Sequence, residues 1–96
     1  MDEQDFTEGL DNYEGLSELF QKVFIEIDNA GKVHDGFNST HEWYGVLKEE
    51  FDELWDEIKR NKNCYELSFA MEKEAIQVAA MALKGILSIQ CNYHRK

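Results

Sequence analysis

The sequence predicts an all-α protein, and three observations support that fold class. The chain of 96 residues contains no proline and only six glycines, so little in it interrupts long helices. Apolar residues recur at helical spacing in three separate stretches. Hydrophobic residues make up 43% of the chain and charged residues 31%, which is typical of one small globular domain. We therefore expect a single helical domain over residues 15–91 with three main helices, an antiparallel hairpin plus an N-terminal helix.

The N-terminal part of the chain is predicted to begin with an acidic, loosely ordered segment. Residues 1–14 contain many acidic side chains and few large apolar ones. From residue 15 to residue 30, apolar side chains recur at steps of three or four and form one helix face. Gly31 follows where a left-handed C-terminal cap is expected, and residues 32–38 are predicted to form a loop. The apolar face of this first helix comprises Leu16, Leu19, Phe20, Val23, Phe24 and Ile27.

A second helix is predicted over residues 40–60. Ser39 and Glu42 have the spacing of a capping box, in which Ser39 is the N-cap and the Glu42 side chain bonds back to it. Lys59 and Arg60 close the helix with the positive charge that the helix dipole favours at this end. The narrow apolar stripe of the helix consists of Leu47, Phe51, Leu54 and Ile58.

A third helix is predicted over residues 67–91, followed by a basic tail at residues 92–96. More than half of its circumference is apolar, so it should be buried on more than one side. In so short a chain, another subunit is the simplest cover for the second side. We therefore expect a bundle that is completed by oligomerisation, as a homodimer or homotetramer. The main apolar face consists of Phe69, Ile76, Ala79, Ala80, Leu83, Ile86 and Leu87.

Charge and composition argue against several classes of partner. The net charge of −10 disfavours binding to nucleic acid or to an anionic membrane. No stretch approaches the roughly 20 apolar residues that span a bilayer, and the acidic N-terminus does not resemble a signal peptide. Cys64 and Cys91 lie far apart in the sequence, so we expect no disulfide framework or zinc site, and a reducing cytoplasm as the location.

Two short acidic motifs form the candidate functional site. Glu50 and Glu53 are one helical turn apart, about 4.5 Å along the axis, and border the apolar stripe, whereas Glu49 points toward water. Glu74 and Gln77 repeat this spacing on the next helix. If the two helices pack antiparallel, four oxygen-bearing side chains converge, and a divalent cation would relieve the repulsion between their carboxylates. On spacing alone, a solvated pair of glutamates that binds nothing is the commoner case.

Three segments of the chain carry a resemblance to a known family. They are residues 37–46, 49–57 and 74–83, and they contain Glu-Glu-x-x-Glu followed by Glu-x-x-Gln. This pattern resembles the MazG-like, all-α NTP pyrophosphohydrolases, especially the small phage- and prophage-associated members, over roughly residues 15–90. The resemblance implies an oligomer of helical protomers that converts a nucleoside triphosphate to the monophosphate and pyrophosphate.

The resemblance also implies a set of magnesium ligands, with Mn²⁺ as a possible substitute. In the family, the second and third glutamates of the first motif and both ends of the second motif hold the metal. On this chain those positions are Glu50, Glu53, Glu74 and Gln77. The family usually has an aspartate at the last position, and the amide of Gln77 offers an oxygen without a charge. Glu49, which coordination does not require, is the candidate for positioning the attacking water.

Three further residues are weaker candidates for contact with substrate phosphate. They are His41 in the first turn of the second helix, and Lys73 and Lys84 beside the second acidic motif. Two functions other than hydrolysis stay open on sequence alone. One is a non-catalytic helical oligomer, such as an accessory or binding protein with a degenerate metal site. The other is an acidic DNA mimic that binds a basic partner.

Overall fold

The chain is helical wherever its structure is described, and the predicted all-α class is confirmed for that part. A computed structural model describes residues 14–33 and 36–94, which form three helices and no strand. Helix α1 spans Leu16–Val33, α2 spans Thr40–Arg60 and α3 spans Phe69–His94. The predicted acidic segment lies outside the described residues except for residue 14, as do the last two residues of the predicted tail.

Helix α3 is the central element, because it packs against both of the other helices. Helices α1 and α2 nowhere bring their Cα atoms within 8 Å of each other in the described residues. The α2–α3 pair is antiparallel, as predicted for the hairpin. Trp43 in the first turn of α2 donates to the backbone carbonyl of Met81 in the middle of α3. Asn61, just after α2, donates to the sulfur of Met71 near the start of α3.

Helix α1 runs parallel to α3. Lys22 forms an ion pair with Glu72 at 3.2 Å, and further along both helices the ammonium of Lys84 donates to the backbone carbonyl of Ala30. This second contact caps α1, because the last carbonyls of a helix lack partners within the helix. The prediction of a cap at Gly31 is wrong, since α1 continues to Val33.

The predicted N-cap of α2 is confirmed, whereas the carboxylate of Glu42 bonds to Asn38 rather than back to Ser39 as the predicted capping box requires. The hydroxyl of Ser39 accepts a hydrogen bond from the backbone N–H of Glu42 at 3.0 Å, so Ser39 is the N-cap. The carboxylate of Glu42 accepts from the side-chain amide of Asn38. Because a local cap fixes the first turn and α2 ends at Arg60, the observed helix has the predicted bounds.

The ends of α3 lie two to three residues beyond their predicted positions. The hydroxyl of Ser68 accepts from the backbone N–H of Met71 at 3.1 Å, so the helix begins after this serine rather than at residue 67. It continues to His94. The predicted tail at residues 92–96 therefore begins inside the helix.

The buried core of the described residues is small, and on α3 it combines Ala80 from the predicted main face with Met81 from outside that face. Ala80 and Met81 are buried on α3, together with Phe37 from the loop before α2. Leu83 and Leu87, which the sequence assigns to the main face, are about half exposed. Helices α1 and α2 cover the side that carries Ala80 and Met81, so the described residues of the protomer leave the more apolar outer side of α3 uncovered. The core is surrounded by the partly buried side chains of Val23, Ile27, Ala30, Trp43, Val46 and Leu47.

None of the helices in residues 14–33 and 36–94 combines the length and the apolar character that a bilayer span requires.

Candidate metal centre

Three carboxylates from two helices meet at the α2–α3 contact. Glu50 and Glu53 lie one turn apart on α2, and Glu74 faces them from α3. One oxygen of each carboxylate lies within 4.8 Å of the others. The antiparallel pairing places the middle of α2 beside the first third of α3, which brings together two motifs that are about twenty residues apart in sequence.

The cluster is electrostatically unfavourable when all three groups are ionised. Burial raises the pKa of Glu50 above its ordinary value, and the charges of Glu53 and Glu74 raise it further. The pKa of Glu74 is raised in the same way, first by burial and then by Glu53, while the ammonium of Lys73 opposes the rise. A positive charge at the centre of the cluster would remove this penalty.

One oxygen of Glu50 distinguishes this cluster from a solvated acidic surface. Its Oε2 atom is buried and has no hydrogen-bond partner within the described residues. A buried polar atom without a partner costs about 1–3 kcal/mol, so such atoms are rare in native proteins. A divalent cation with oxygen ligands would satisfy this atom and neutralise its neighbours. The donor set of three carboxylates therefore fits a hard divalent cation such as Mg²⁺.

Gln77, the fourth ligand implied by the family resemblance, is engaged with α1. Its amide nitrogen donates to the carboxylate of Glu26 on α1 at 2.6 Å. Glu74 lies one turn earlier on α3 and faces α2. The structure thus brings together three of the four predicted ligands and gives the fourth a partner that the sequence analysis does not include.

An open cleft of about 660 Å³ adjoins the cluster between α1, α2 and α3. Glu49 is exposed, as predicted, and lines the cleft beside Glu50. The volume falls within the range of roughly 300–1,000 Å³ that is usual for small-molecule sites. The other residues that line the cleft are Glu26, Asn29, Ala30, Gly36, Phe37, Glu42, Val46, Gln77, Met81 and Lys84.

The three weaker phosphate candidates have different surroundings. Lys84 lies in the cleft but is buried, and its ammonium both caps α1 and lies 5.6 Å from the ring centre of Phe37. Lys73 is exposed and sits next to Glu74 on α3. His41 is exposed in the first turn of α2, nine residues before Glu50 and therefore about 13 Å away along the helix axis.

Glu26 is the site residue that the sequence analysis missed. A signal for it exists in the spacing of α1. Leu16, Leu19, Val23 and Ala30 occupy successive positions of a heptad, and Glu26 stands where the next apolar residue would belong. A carboxylate at such a position faces a neighbouring helix and needs a polar partner there.

No family model, curated protein or solved structure matches the chain. The resemblance to MazG-like pyrophosphohydrolases therefore rests on the sequence motifs and stays a prediction.

Proposed function

We propose that this protein is a Mg²⁺-dependent nucleoside triphosphate pyrophosphohydrolase. The observation that carries the proposal is the buried, unpartnered Oε2 of Glu50, which belongs to a cluster of three carboxylates beside an open cleft. Mn²⁺ would substitute for Mg²⁺, since both are hard cations that take oxygen ligands. The ribo or deoxyribo form of the nucleotide is left open by this argument.

The carboxylate cluster and the adjoining cleft would have different roles in hydrolysis. Glu50, Glu53 and Glu74 would hold the cation, which when bound would neutralise them and polarise the phosphate oxygens of the substrate. Glu49 is exposed beside Glu50, so its carboxylate can accept a hydrogen bond from a water molecule in the cleft. It would orient that water toward the triphosphate chain and take its proton. The bond between the α and β phosphates breaks, and the products are the monophosphate and pyrophosphate.

The activity is tested by measuring pyrophosphate release from a panel of NTPs and dNTPs with Mg²⁺ or Mn²⁺. We expect turnover by the wild type and a large loss in Glu50→Gln and in Glu53→Gln. Asp52→Asn is the matched control, because Asp52 is an exposed acid on the same helix that pairs with Lys48.

The outcomes separate the proposed site from its alternatives. Activity that survives both Glu50→Gln and Glu53→Gln would exclude the carboxylate cluster as the catalytic site. An absence of turnover, together with an absence of any cation-dependent rise in melting temperature, would favour a non-catalytic helical oligomer instead.

We also propose that a second copy of the chain completes the bundle, as a homodimer or within a homotetramer. Two apolar surfaces of the protomer support this assembly. On α2, Tyr44, Phe51 and Ile58 recur every seven residues and are exposed. On the outer side of α3, Leu83 and Ile86 are each nearly half exposed. Apolar surfaces of this extent are unusual in a monomer, and seven-residue spacing suits contact with another helix.

The assembly is tested by sedimentation velocity over a range of protein concentrations. We expect a dimer or tetramer for the wild type and dissociation in Phe51→Lys and in Leu83→Lys. Tyr65→Lys is the control, since Tyr65 is 94% exposed in the loop between α2 and α3. A wild type that stays monomeric at every concentration would contradict the assembly.

A further inference from the structure

A second, smaller groove lies between the middle of α1 and the start of α3. Its volume is about 220 Å³, and it shares only Glu26 with the lining of the cleft beside the carboxylate cluster. The described residues leave its apolar walls uncovered, since Phe69 is 83% exposed and Ile25 is 53% exposed. Apolar side chains that stay this exposed in a concave surface mark a place where another segment packs. The other residues that line the groove are Lys22, Glu72, Lys73 and Ile76.

The charged residues of this groove leave one ammonium open to an acidic partner. Glu72 accepts a hydrogen bond from Lys22 at 3.2 Å, and Glu26 accepts one from the amide of Gln77, so both glutamates are engaged. Lys73 is exposed and forms no hydrogen bond or ion pair with any other of the described residues. Apolar walls with an exposed ammonium at the rim suit a partner that combines apolar side chains with carboxylates.

The N-terminal segment of residues 1–13, which lies outside the described part of the chain, has this composition. It contains five acidic residues and no lysine, arginine or histidine. Phe6, Leu10 and Tyr13 follow one another at steps of four and three, so a single face of a helix would carry all three. The sequence of the segment therefore supplies both kinds of group that the groove lacks.

The segment is joined to the rest of the chain close to the groove. Glu14 and Gly15 form a turn directly before α1, and Gly15 has a φ angle of 82°, which favours glycine. A turn at this point lets the preceding chain run back beside α1. Lys22 lies seven residues after Gly15, about 10 Å along the helix axis. An extended chain of thirteen residues spans up to roughly 40 Å, so the segment reaches the whole groove.

We propose that residues 1–13 dock in the groove between α1 and α3 of their own chain. The apolar residues of the segment pack on the apolar walls, and its carboxylates face the ammonium of Lys73. Phe6 and Tyr13 are seven residues apart, as are Phe69 and Ile76 on α3, so the two apolar sets match in length if both are helical. The covalent link favours this occupant over a free one, because it holds the segment at roughly millimolar local concentration.

The docking is tested by NMR on the full chain with a nitroxide spin label at Gln4→Cys and both native cysteines replaced by serine. We expect the label to broaden the backbone amide signals of Ile25 and Ile76. Adding Leu10→Asp, which places a charge on the apolar face of the segment, should remove most of this broadening. Thr7→Asp is the matched control, because it adds the same charge away from that face and should leave the broadening in place.

A mixture of isotope-labelled wild type with spin-labelled chain that carries no isotope separates the possible occupants. If the groove signals broaden in this mixture as strongly as they do within one chain, the segment of a second copy occupies the groove and the proposal is wrong. Two further results overturn it. One is an absence of broadening at Ile25 and Ile76, and the other is an equal effect of Leu10→Asp and Thr7→Asp.

A double-mutant cycle tests the same contact without a label. Leu10→Ala and Ile25→Ala should each lower the melting temperature by a few degrees at constant protein concentration. Together they should lower it by less than the sum, because each removes the same contact. Ile86→Ala is the matched control, since Ile86 is 46% exposed on the outer side of α3 and its effect should add to that of Leu10→Ala. Additive losses for Leu10→Ala and Ile25→Ala would contradict the docking.

Discussion

The indole ring of Trp43 lies directly against the backbone of Gly85, in a space that a side chain at position 85 would occupy. The indole nitrogen donates to the carbonyl of Met81 one turn earlier on α3, at 3.1 Å. Together these contacts fix how α2 and α3 are aligned along their length. Trp43 stands two helical turns before Glu50, so the same alignment sets where the carboxylates of α2 meet Glu74.

Replacing Gly85 with alanine is expected to destabilise the protein although alanine favours helices. The added methyl group would overlap the Trp43 ring, and overpacking of this kind costs about 1–3 kcal/mol. The higher helix propensity of alanine returns roughly 0.5–1 kcal/mol. We therefore expect a net loss of about 1–2 kcal/mol in the free energy of unfolding, measured by denaturant titration at constant protein concentration.

Gly45→Ala is the matched control for this prediction. Gly45 is also inside a helix, but apart from its chain neighbours and the backbone of its own helix no atom of the described residues lies within 4 Å of the position that a methyl group would take. This change should stabilise the protein by up to about 1 kcal/mol. If Gly85→Ala stabilised the protein as much as Gly45→Ala does, that result would contradict a tight contact between Trp43 and Gly85.

The loop before α2 is expected to tolerate no side chain at Gly36. Its φ angle of 133° is one that residues with side chains rarely adopt, and a methyl group there would overlap the hydroxyl of Ser88. That hydroxyl accepts from the backbone N–H of Phe37 at 3.0 Å and so ties the loop to α3. Gly36→Ala should lower the free energy of unfolding by about 1–3 kcal/mol.

A double variant separates the two causes of that loss. Adding Ser88→Ala to Gly36→Ala removes the overlap and leaves the unfavourable backbone angle. Ser88→Ala alone should cost about 1 kcal/mol through the lost hydrogen bond. The double variant should therefore lose less stability than the sum of the single variants. Additive losses in the same denaturant experiment would show that the overlap contributes nothing.

The helices could be predicted from sequence because their signals are local. The bounds of α2 follow from the Ser39 cap and from apolar spacing within one stretch of chain. The side on which α3 is buried could not be predicted in this way. Apolar residues cover most of its circumference, so periodicity does not distinguish the side of Met81, which is buried, from that of Leu83, which is half exposed. Which side is buried depends on where α1 and α2 pack.

The candidate site could also be predicted only as far as its signals are local. The spacing of Glu50 and Glu53 within one helix indicates a pair, and an antiparallel hairpin brings Glu74 to it. The bond between Glu26 and Gln77 joins residues 51 positions apart, on helices that the sequence does not align with each other. Contacts of this kind appear only once the three-dimensional arrangement is known.

Lys84 is expected to contribute to stability whether or not it also contacts phosphate. Its ammonium donates to the partly buried carbonyl of Ala30 in the last turn of α1, and a hydrogen bond to a charged group contributes about 1.5–3 kcal/mol. Lys84→Met should lower the free energy of unfolding by that amount without any nucleotide present. Lys62→Met is the control, since Lys62 is exposed in the loop between α2 and α3 and its replacement should change stability by less than about 0.5 kcal/mol. If the two substitutions changed the free energy of unfolding equally, Lys84 would not stabilise the protein by capping α1.

The cation-free protein is expected to become more stable at neutral pH when Glu50 is replaced by glutamine. Because the pKa of Glu50 is raised in the folded state, the folded protein binds this proton more tightly than the unfolded chain does. The stability that this proton contributes to the folded state is therefore fully present below the ordinary pKa of 4.5. It is lost as the pH rises through the raised pKa of Glu50. Glu50→Gln carries no such group, so it should lose less stability over this range. Glu74 titrates in the same direction and persists in the variant.

The measurement is the melting temperature of the wild type and Glu50→Gln across this pH range, first with EDTA and then with excess Mg²⁺. With EDTA, the advantage of the variant should grow as the pH rises above 4.5 and then level off. With Mg²⁺, the wild type should have the higher melting temperature, because a cation that binds only the folded state stabilises it. The variant lacks one of the ligands and should gain less. A wild type that is more stable than Glu50→Gln at neutral pH with EDTA would mean that the carboxylates do not strain the folded state. If Mg²⁺ leaves the difference in melting temperature between the two proteins unchanged, the carboxylates do not hold the ion.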